Sequence, residues 1–295
     1  MKNYLIFRTD RIGDFLLSCI LINNIKRNDK NSFITLVCSE YNYEYIKTFK
    51  NIDELIIYKK NFFKYISNIF NLRKKVFSYT IIHDEKDRSK ILNFFLRKKK
   101  SISLKSTIFE TKITIIKKII LNLGFSFSDE DLNFLENRDL YINMKNDYLV
   151  LHYDEKWTKS TYIQQYQNIE PNIIELTKFI KKLNKITNYK IIISTGIYTP
   201  NILKKIFLNN KIPNVEFYSN QSFFQLEKLV TSAKLLISCH GALSHVAAAK
   251  NIKQIDIIDV NIKSPYSNWT SHFRNYNYVF RKDFQQLADN IYNLL

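Results

Sequence analysis

The sequence predicts an α/β protein made of two Rossmann-like halves. Short apolar runs alternate with amphipathic stretches along the chain, and a length of 295 residues suits two domains better than one. Only four glycines occur, and Gly13, Gly196 and Gly241 each follow an apolar run where a strand should hand over to a helix. A repeated strand-then-helix pattern is the signature of a parallel sheet with right-handed crossovers.

In the first half, four strand-like runs alternate with four helical stretches. The expected strands are YLIF (4–7), FITLV (33–37), ELIIY (54–58) and YTIIH (79–83), and the expected helices span 14–26, 41–49, 62–76 and 88–96. Residues 107–125 continue with a helical apolar pattern. Because this stretch also contains Glu110 and three lysines, it is amphipathic and not membrane-spanning.

The second half repeats the alternation. Strands are expected at YLVLH (148–152), YKIIIS (189–194), VEFY (215–218), KLLIS (234–238) and QIDIID (254–259), with helices near 170–186, 201–208, 223–232 and 242–250. An acidic, turn-rich stretch, 126–147, lies between the halves, and we place a hinge near 143–147. The predicted domains are therefore residues 1–145 and residues 146–295.

Cysteine usage and the start of the sequence bear on the compartment. Cys19, Cys38 and Cys239 are isolated in sequence, so neither a disulfide framework nor a structural zinc site is indicated. No signal-peptide pattern precedes the first strand-like run. We therefore expect a cytoplasmic protein.

Positive charge is concentrated in residues 59–105, which hold 14 Lys/Arg against 3 Asp/Glu and are densest at 73–75 and 97–100. Such a segment can bind an anionic membrane surface, nucleic acid or an anionic substrate, although a single lysine run is more often a solvated face. Six aromatic residues are interleaved with these charges: Phe62, Phe63, Tyr65, Phe70, Phe94 and Phe95. At helical spacing we expect them to face the core.

The loops that follow the strands are where ligand chemistry is expected, because open parallel sheets bind ligands at the carboxyl ends of their strands. Those loops are residues 8–14, 83–89, 152–159, 194–200, 219–223 and 238–245. Neither G-x-G-x-x-G nor a Walker A sequence occurs, which argues against dinucleotide oxidoreductases and P-loop enzymes. An H-E-x-x-H motif is also absent.

The loop RTDRIGD (8–14) carries a candidate general base. Asp14 falls at the start of the first helix, where a carboxylate can take a proton from a substrate hydroxyl. The alternative is that an acid in a first helical turn only complements the helix dipole and caps free amides, and this is the commoner case. Asp10, earlier in the same loop, is a second candidate for the base.

The loop HGALSH (240–245) reads as a tight turn entering a helix, whose exposed amides suit a diphosphate. Ser244 and His245 could add hydrogen bonds to a ligand there. For a single histidine such as His245, a packed helix residue satisfied by a backbone carbonyl is the commoner case. His240 and His245 could share a metal, but the segment 238–245 contains no carboxylate to complete such a site, and this is the less expected interpretation.

Taken together, these segments resemble the bacterial heptosyltransferases, glycosyltransferase family 9. RTDRIGDFLLSCILINNIK (8–26) looks like the family's R-x-x-x-x-G-D opening, without its usual proline near Ile20, and SFFQLEKLVTSAKLLISCHGALSHVAAAKNIKQIDIID (222–259) looks like its stretch around D-T-G-L-S-H. DEKDRS (84–89), YLVLHYDEKW (148–157) and IIISTG (191–196) match further segments in order. The similarity spans nearly the whole chain.

The resemblance implies a GT-B fold: two Rossmann-like domains facing across a cleft, with the acceptor bound by the first and a nucleotide-diphosphate sugar by the second. It implies a metal-independent, inverting transfer in which Asp14 is the general base and Lys156, or the nearby Lys159, neutralises the donor diphosphate. The implied donor-side residues are Gly196, His240, Gly241, Ala242, Leu243, Ser244 and His245, and the implied acceptor-side residues are Arg8, Arg11, Gly13 and Arg88.

One departure from the family concerns the donor. His240 stands where the family has an aspartate that helps hold the donor sugar, so the donor need not be ADP-heptose, and His240 could bind either a sugar hydroxyl or a phosphate. No organic cofactor is expected.

The leading prediction is a glycosyltransferase acting on a lipopolysaccharide, lipooligosaccharide or other surface-glycan acceptor that is lipid-linked and anionic. The basic segment 59–105 would then contact the cytoplasmic face of the inner membrane. The alternatives are another GT-B enzyme, such as a sugar-nucleotide epimerase or a capsule glycosyltransferase, and a non-catalytic protein that binds nucleotide sugars or nucleic acid. We expect no nucleic-acid partner, because no recognisable nucleic-acid module accompanies the charge.

Overall fold

The computed structural model describes residues 1–58, 61, 67, 70–136, 138, 140, 147–158, 166–209, 212–260 and 266–295. The chain divides into two compact units, Met1–Phe134 with Ser267–Ser271, and Leu135–Tyr266 with His272–Leu295. The boundary between residues 145 and 146 stays a prediction, because residues 141–146 lie outside the described part, as do Lys159, Phe62, Phe63 and Tyr65.

The first unit is built on a parallel five-stranded sheet with strand order β3-β2-β1-β4-β5. Its elements are β1 (Asn3–Arg8), α1 (Ile12–Asn28), β2 (Phe33–Ser39), α2 (Tyr43–Ile46), β3 (Glu54–Tyr58), β4 (Val76–Ile82), α3 (Asp87–Phe94), β5 (Arg97–Ser103), α4 (Lys112–Asn122) and a 3-10 helix at Asp129–Leu132. The short helix α9 (Ser267–Thr270) belongs to this unit, where Asn268 donates a hydrogen bond to the carbonyl of Ile108 over 2.9 Å.

The second unit is built on a parallel six-stranded sheet with strand order β11-β10-β9-β6-β7-β8. Its elements are β6 (Tyr148–His152), α5 (Ile173–Thr187), β7 (Lys190–Ser194), α6 (Asn201–Asn209), β8 (Val215–Tyr218), α7 (Phe223–Thr231), β9 (Leu235–Cys239), α8 (Ala242–Ala249), β10 (Lys253–Ile258), β11 (Tyr276–Phe280) and α10 (Phe284–Tyr292). The two parallel sheets confirm the predicted α/β class with two Rossmann-like parts.

The cores explain why these runs become central strands. The central strands β1, β6 and β9 are buried over almost their whole length, as expected when both faces of a parallel sheet are covered. In the second unit Trp157 is fully buried, stacks on Tyr153 at 4.9 Å between ring centroids, and donates its indole N–H to the carbonyl of His152 over 2.8 Å. Cys19, Cys38 and Cys239 are buried and are not joined in disulfides.

Two edge strands, β5 and β11, were not predicted. Strand β5 has the sequence RKKKSIS, in which only Ile102 is buried, so it lacks the apolar run by which a strand is recognised. It is hydrogen-bonded through its pairing with β4, whereas Lys99 and Lys100 are exposed, and lysine is a common means of blunting an exposed sheet edge. The basic residues 97–100 therefore belong to a strand.

The expectation that the aromatic residues of the basic segment face the core is wrong for the three that the structure describes. Phe94 is 78% exposed, Phe70 is 61% exposed and Phe95 is 46% exposed. Burial in this region is supplied instead by Leu72, Leu92 and other aliphatic residues of the same helical stretches. Exposed aromatic side chains thus occur within the basic segment.

None of the helices in the described part of the chain combines the length and the apolar character that a membrane crossing requires.

Candidate functional site

In the first unit, Asp84 ties together the loops that follow β1 and β4. Its Oδ2 accepts hydrogen bonds from the Thr9 hydroxyl at 2.6 Å and the Ser89 hydroxyl at 2.7 Å. Arg88 donates to the Thr9 hydroxyl over 2.7 Å, and its guanidinium lies over the ring of Tyr58 at 4.9 Å. The ends of β1, β3 and β4 are thus held together at the carboxyl edge of the sheet, as expected for a ligand-binding edge.

Asp14 lies in the first turn of α1, beside Gly13, and is half-exposed. The helix begins after Arg11, which is exposed and provides no side-chain cap. Within the described residues, no group donates a hydrogen bond to the Asp14 carboxylate. A role for Asp14 in capping backbone amides is therefore not seen, and its oxygens remain available to a substrate.

Asp10, the other candidate base, is already engaged. Its Oδ2 lies 3.2 Å from Nη1 of Arg8, and its Oδ1 lies 3.4 Å from Nζ of Lys86. Arg8 itself is buried and donates through Nε to the hydroxyl of Ser18 over 2.7 Å. The side chains of Arg8 and Asp10 are thus engaged in contacts within the protein.

His83 completes the buried polar network beneath this loop. Its Nδ1 lies 2.8 Å from the Ser18 hydroxyl. Burial lowers the pKa of His83 well below its ordinary value, and the charges of Arg8 and Lys112 lower it further. The imidazole is therefore neutral at physiological pH and serves as a packed hydrogen-bonding group.

In the second unit, a cavity of about 430 Å³ opens at the carboxyl ends of β6, β7 and β9. The starts of α7 and α8 border it. Its walls combine carboxylates, one lysine, two glycines and apolar side chains: His152, Asp154, Glu155, Lys156, Gly196, Ile197, Tyr198, Gln221, Phe223, Leu226, Cys239, Gly241, Ala242 and Leu243. Open parallel sheets bind their ligands at the carboxyl ends of the strands, which is where this cavity lies. It is large enough for a small organic molecule.

Lys156 is fixed at the wall of this cavity through four contacts. Its backbone N–H donates to Oδ1 of Asp154 over 3.1 Å, and its carbonyl accepts from Nη2 of Arg281 over 2.6 Å. Its ammonium lies 3.3 Å from Oδ2 of Asp154 and 3.2 Å from the carbonyl of His240. A flexible lysine is thereby held in one place before any ligand arrives.

The electrostatics of the cavity keep Lys156 charged. Burial lowers the pKa of Lys156, but the combined influence of Asp154, Cys239 and Glu155 outweighs burial, and the pKa of Lys156 is raised. Burial and the neighbouring Asp154 raise the pKa of Glu155. Burial lowers the pKa of His152 to about 4, so this imidazole is neutral and shares a 3.1 Å contact with the Ser194 hydroxyl.

Gly241 leaves space for the ammonium of Lys156. The backbone at Gly241 is extended, so any residue could adopt its conformation. A Cβ atom added there, however, would lie 2.4 Å from Nζ of Lys156. Gly196 differs, because an added Cβ would meet no atom of the described residues within 4 Å, and Gly196 itself lines the cavity.

The start of α8 presents backbone amides to the same cavity. Ser244 N–H is bonded to the carbonyl of Gly241 over 3.1 Å, whereas the amides of Ala242 and Leu243 have no acceptor within the described residues. The Ser244 hydroxyl accepts from the N–H of Gly241 over 3.3 Å and donates to Asp256 over 2.6 Å. The free amides can bind an anion, while the Ser244 side chain is used within the protein.

His240 is paired with a buried carboxylate on the neighbouring strand. Its Nδ1 lies 2.7 Å from Oδ2 of Asp256, a residue of β10 with no exposed surface. The ring packs edge-on against Tyr266, with 5.0 Å between centroids, and 14% of the His240 side chain is exposed. The residue that departs from the family pattern is thus part of a defined His–Asp pair.

His245 is buried and packs edge-on against Phe273, with 5.3 Å between centroids. Burial lowers its pKa well below the ordinary value, and nearby His240 and His272 contribute. This packing matches the commoner case for an isolated helix histidine, although no described backbone carbonyl bonds to the ring. Within the described residues, no group of three or more His, Cys, Asp or Glu side chains could hold a metal ion.

Three residues of this site were missed by sequence reasoning. Asp154 and Arg281 hold Lys156, and Asp256 holds His240. Asp256 was detectable in principle, because a single acid interrupts the apolar run of its strand. Arg281 gave no signal, since it follows the unpredicted strand β11.

Solved structures show where this fold occurs. The E. coli heptosyltransferase WaaC with ADP matches with a TM-score of 0.74 and 14% identity over 99% of this chain and 98% of the other. A glycosyltransferase family 9 protein from Veillonella parvula matches with a TM-score of 0.68 and 13% identity over 98% of this chain and 89% of the other. The chain has the GT-B fold of the heptosyltransferases.

The same GT-B fold extends to enzymes with other chemistry. A UDP-N-acetylglucosamine 2-epimerase assigned in Listeria monocytogenes matches with a TM-score of 0.60 and 7% identity over 100% of this chain and 88% of the other. No protein-family model and no curated protein matches the sequence. The fold is therefore shown by structure, and the reaction has to be argued from the site.

Proposed function

We propose that this protein is a glycosyltransferase that transfers a sugar from a nucleotide-diphosphate donor to a surface-glycan acceptor. The observation that carries the proposal is the cavity of the second unit, where the fixed ammonium of Lys156 and the free amides of Ala242 and Leu243 converge. A diphosphate needs such an arrangement of one cation and several N–H donors. The heptosyltransferase WaaC, which has this fold, was solved with ADP.

The same groups fit the chemistry of a leaving diphosphate. As the bond between the anomeric carbon and the phosphate oxygen breaks, negative charge grows on the nucleoside diphosphate. Lys156 and the helix start of α8 stabilise that charge in a site that is organised beforehand, which is where electrostatic catalysis gains most. In this proposal the positive charge comes from the protein, and no metal is invoked.

In this proposal Asp14 is the general base that activates the acceptor. Its carboxylate takes the proton of the acceptor hydroxyl as the hydroxyl oxygen forms its bond to the anomeric carbon. Attack opposite the leaving diphosphate inverts the anomeric configuration. We propose a heptose or a related sugar as the transferred group and a lipid-linked, anionic core glycan as the acceptor.

The first test is a calorimetric titration of the protein with ADP, GDP, UDP and CMP. We expect at least one nucleoside diphosphate to bind, with an affinity that drops by at least about tenfold when Lys156 is replaced by methionine, because a charge-assisted contact to phosphate is lost. Lys190→Met is the matched control, since Lys190 pairs with Glu216 and is not among the cavity residues. Failure of every nucleotide to bind would contradict the proposal.

An anionic membrane surface is the partner that the first unit fits best. Ile91, Phe94 and Phe95 are exposed and share one face of α3 and its end, because they are three and four residues apart. Arg97 and the following lysines of β5 begin directly after them. Apolar side chains within a basic surface suit a bilayer that carries anionic lipids, whereas Phe and Ile bring no benefit at a phosphate backbone.

We expect the protein to float with vesicles that contain phosphatidylglycerol and to ignore vesicles of pure phosphatidylcholine. The double substitution Phe94→Ser/Phe95→Ser should weaken vesicle binding by at least about tenfold, because it removes two exposed aromatic rings that would insert into the bilayer. Ile174→Ser is the matched control, since Ile174 is 79% exposed but lies in α5 beside Glu175. Salt-sensitive binding of duplex DNA without vesicle binding would overturn this assignment.

A further inference from the structure

The loop after β5 exposes two large apolar side chains at the tip of a turn. Phe109 is 93% exposed and Ile108 is 66% exposed. The N–H of Glu110 donates to the carbonyl of Thr107 over 3.2 Å, so Ile108 and Phe109 are the two central residues of this 107–110 turn. Central turn positions usually hold Gly, Pro, Asn, Asp or Ser, which favour the turn backbone or bond to it. The turn therefore does not explain the two apolar residues, and their exposure adds no buried area to the fold.

Hydrogen bonds on both sides hold the 107–110 turn in place. The Thr107 hydroxyl donates to the Glu110 carboxylate over 3.2 Å, and that carboxylate also pairs with Lys118 of α4. The side chain of Asn268 donates to the carbonyl of Ile108 over 2.9 Å. A fixed backbone thus presents the two apolar side chains. A partner would not have to order the turn, which lowers the cost of binding.

The 107–110 turn belongs to the carboxyl edge of the first sheet. Strand β5 ends at Ser103, which pairs with Ile82 at the end of β4. Glu85, in the loop after β4, accepts hydrogen bonds from the N–H and the hydroxyl of Ser106 over 3.1 Å and 3.0 Å. The loop that carries the turn is therefore fastened to the edge where α1 begins and where Asp14 lies.

Strand β5 separates the 107–110 turn from the exposed aromatic residues at the end of α3. Phe94 and Phe95 directly precede the strand, whereas the turn follows it. The strand has seven residues, which span roughly 20 Å. Arg97, Lys99 and Lys100 are exposed along it. A surface that lies along this sheet edge would meet apolar side chains at both ends of β5 and positive charge between them.

We propose that Ile108 and Phe109 insert into an anionic bilayer as a second membrane contact of the first unit. The inference rests on the proposed function, which gives the chain a lipid-linked acceptor. Apolar side chains beside positive charge suit anionic lipids, whereas a second copy of the chain would bring like charges together. Contacts at both ends of β5 would lay that strand along the bilayer. The carboxyl edge, with Asp14, would then lie at the surface where lipid-linked glycans begin.

A tryptophan placed at the tip tests the insertion directly. The vesicles contain phosphatidylglycerol and brominated phosphatidylcholine, whose bromine atoms quench tryptophan in the acyl region. Trp157 and Trp269 of the unsubstituted protein supply the background fluorescence. We expect Phe109→Trp to add a blue-shifted component that the brominated lipid quenches. No quenching of this component would overturn the proposal.

Tyr41→Trp is the matched control for the quenching experiment. Tyr41 is 90% exposed and follows β2, so it also lies at the carboxyl edge, but β2 is three strands away from β5. We expect its fluorescence to be unaffected by the brominated lipid. Equal quenching at both positions would contradict a contact that is specific to the β5 side of the sheet.

Vesicle affinity measures the size of the contact. Ile108→Ser/Phe109→Ser should weaken binding to phosphatidylglycerol vesicles by at least about tenfold, because two apolar side chains no longer enter the bilayer. Both residues are exposed, so the melting temperature should not change. Ile174→Ser, in the second unit, is the control and should bind as the unsubstituted protein does. Unchanged affinity of the double variant, or a dimer in sedimentation experiments that this variant abolishes, would contradict the proposal.

Transfer assays separate this inference from the proposed function. With a lipid-linked acceptor in vesicles, Ile108→Ser/Phe109→Ser should transfer sugar at least about tenfold more slowly, in line with its weaker vesicle binding. With the same glycan freed of its lipid chains, the rate should stay within about twofold of the unsubstituted protein. Equal losses on both acceptors would contradict a membrane role. If neither acceptor gains a sugar, the proposed function fails, while the quenching experiment still tests the 107–110 turn.

Discussion

Replacing Asp14 by asparagine should reduce the rate of sugar transfer by about two to four orders of magnitude, the usual contribution of a general base. Asparagine keeps the size of the side chain but cannot take a proton from the acceptor hydroxyl. Because no described residue donates a hydrogen bond to this carboxylate, little else should change. The measurement is the transfer rate at saturating donor, together with donor affinity, which we expect to stay within about twofold.

Asp10→Asn is the matched control for that experiment. Asp10 lies in the same loop and is also an aspartate, but its oxygens face Arg8 and Lys86. We expect this variant to lose some thermal stability and to retain transfer. A dead Asp10→Asn beside an active Asp14→Asn would move the base assignment from Asp14 to Asp10.

Removal of the Lys156 ammonium should have the second large effect. We expect Lys156→Met to lower the turnover number by about two to three orders of magnitude, because a preorganised positive group no longer meets the developing charge of the diphosphate. Gly241→Ala should reproduce part of this loss, since its Cβ would occupy space 2.4 Å from the ammonium. Steady-state kinetics and nucleoside diphosphate affinity measure both effects.

Gly196→Ala tests whether Gly196 contacts the nucleotide, because the substitution should leave the stability of the protein unchanged. In the part of the chain that the structure describes, an added Cβ at Gly196 meets no atom within 4 Å, so the melting temperature should not change. A loss of nucleotide affinity in this variant would therefore reflect a contact with the ligand.

If Lys156→Met and Gly241→Ala both kept full turnover, the diphosphate would have to be bound elsewhere.

Much of the fold could be predicted because parallel central strands are buried on both faces and therefore appear as short apolar runs. The runs at β1, β6 and β9 are of this kind, and each was expected within a residue or two of its observed bounds. The strand β5 could not be found in this way. It lies at a sheet edge, and its run of one arginine and three lysines removes the apolar signal.

Only those site residues that lie in the loops directly after predicted strands could be found from the sequence. The sequence places Lys156 and the segment Gly241 to Leu243 after β6 and β9, and the structure brings both to one cavity. The residues that support them come from distant parts of the chain, as Arg281 does for Lys156 and Asp256 for His240. Such partners depend on sheet order, which local periodicity does not determine.

The prediction that Phe94 and Phe95 face the core is wrong, and the spacing of the helix explains why. Helical spacing places Ile91, Phe94 and Phe95 on one face, but spacing alone does not say which face is buried. Leu92 and Leu96 form the buried side instead. The exposed side is consequently both apolar and basic, and it is what supports the proposed membrane contact.

The most direct test of the central claim is a mass-spectrometric assay of a reaction that contains the protein, the nucleotide sugar that it binds and a lipid-linked core glycan. We predict that the acceptor gains the mass of one sugar residue while an equal amount of nucleoside diphosphate is released, and that Asp14→Asn gives neither product. Epimerised nucleotide sugar with an unchanged acceptor, or bound donor with no product at all, would contradict the assignment as a glycosyltransferase.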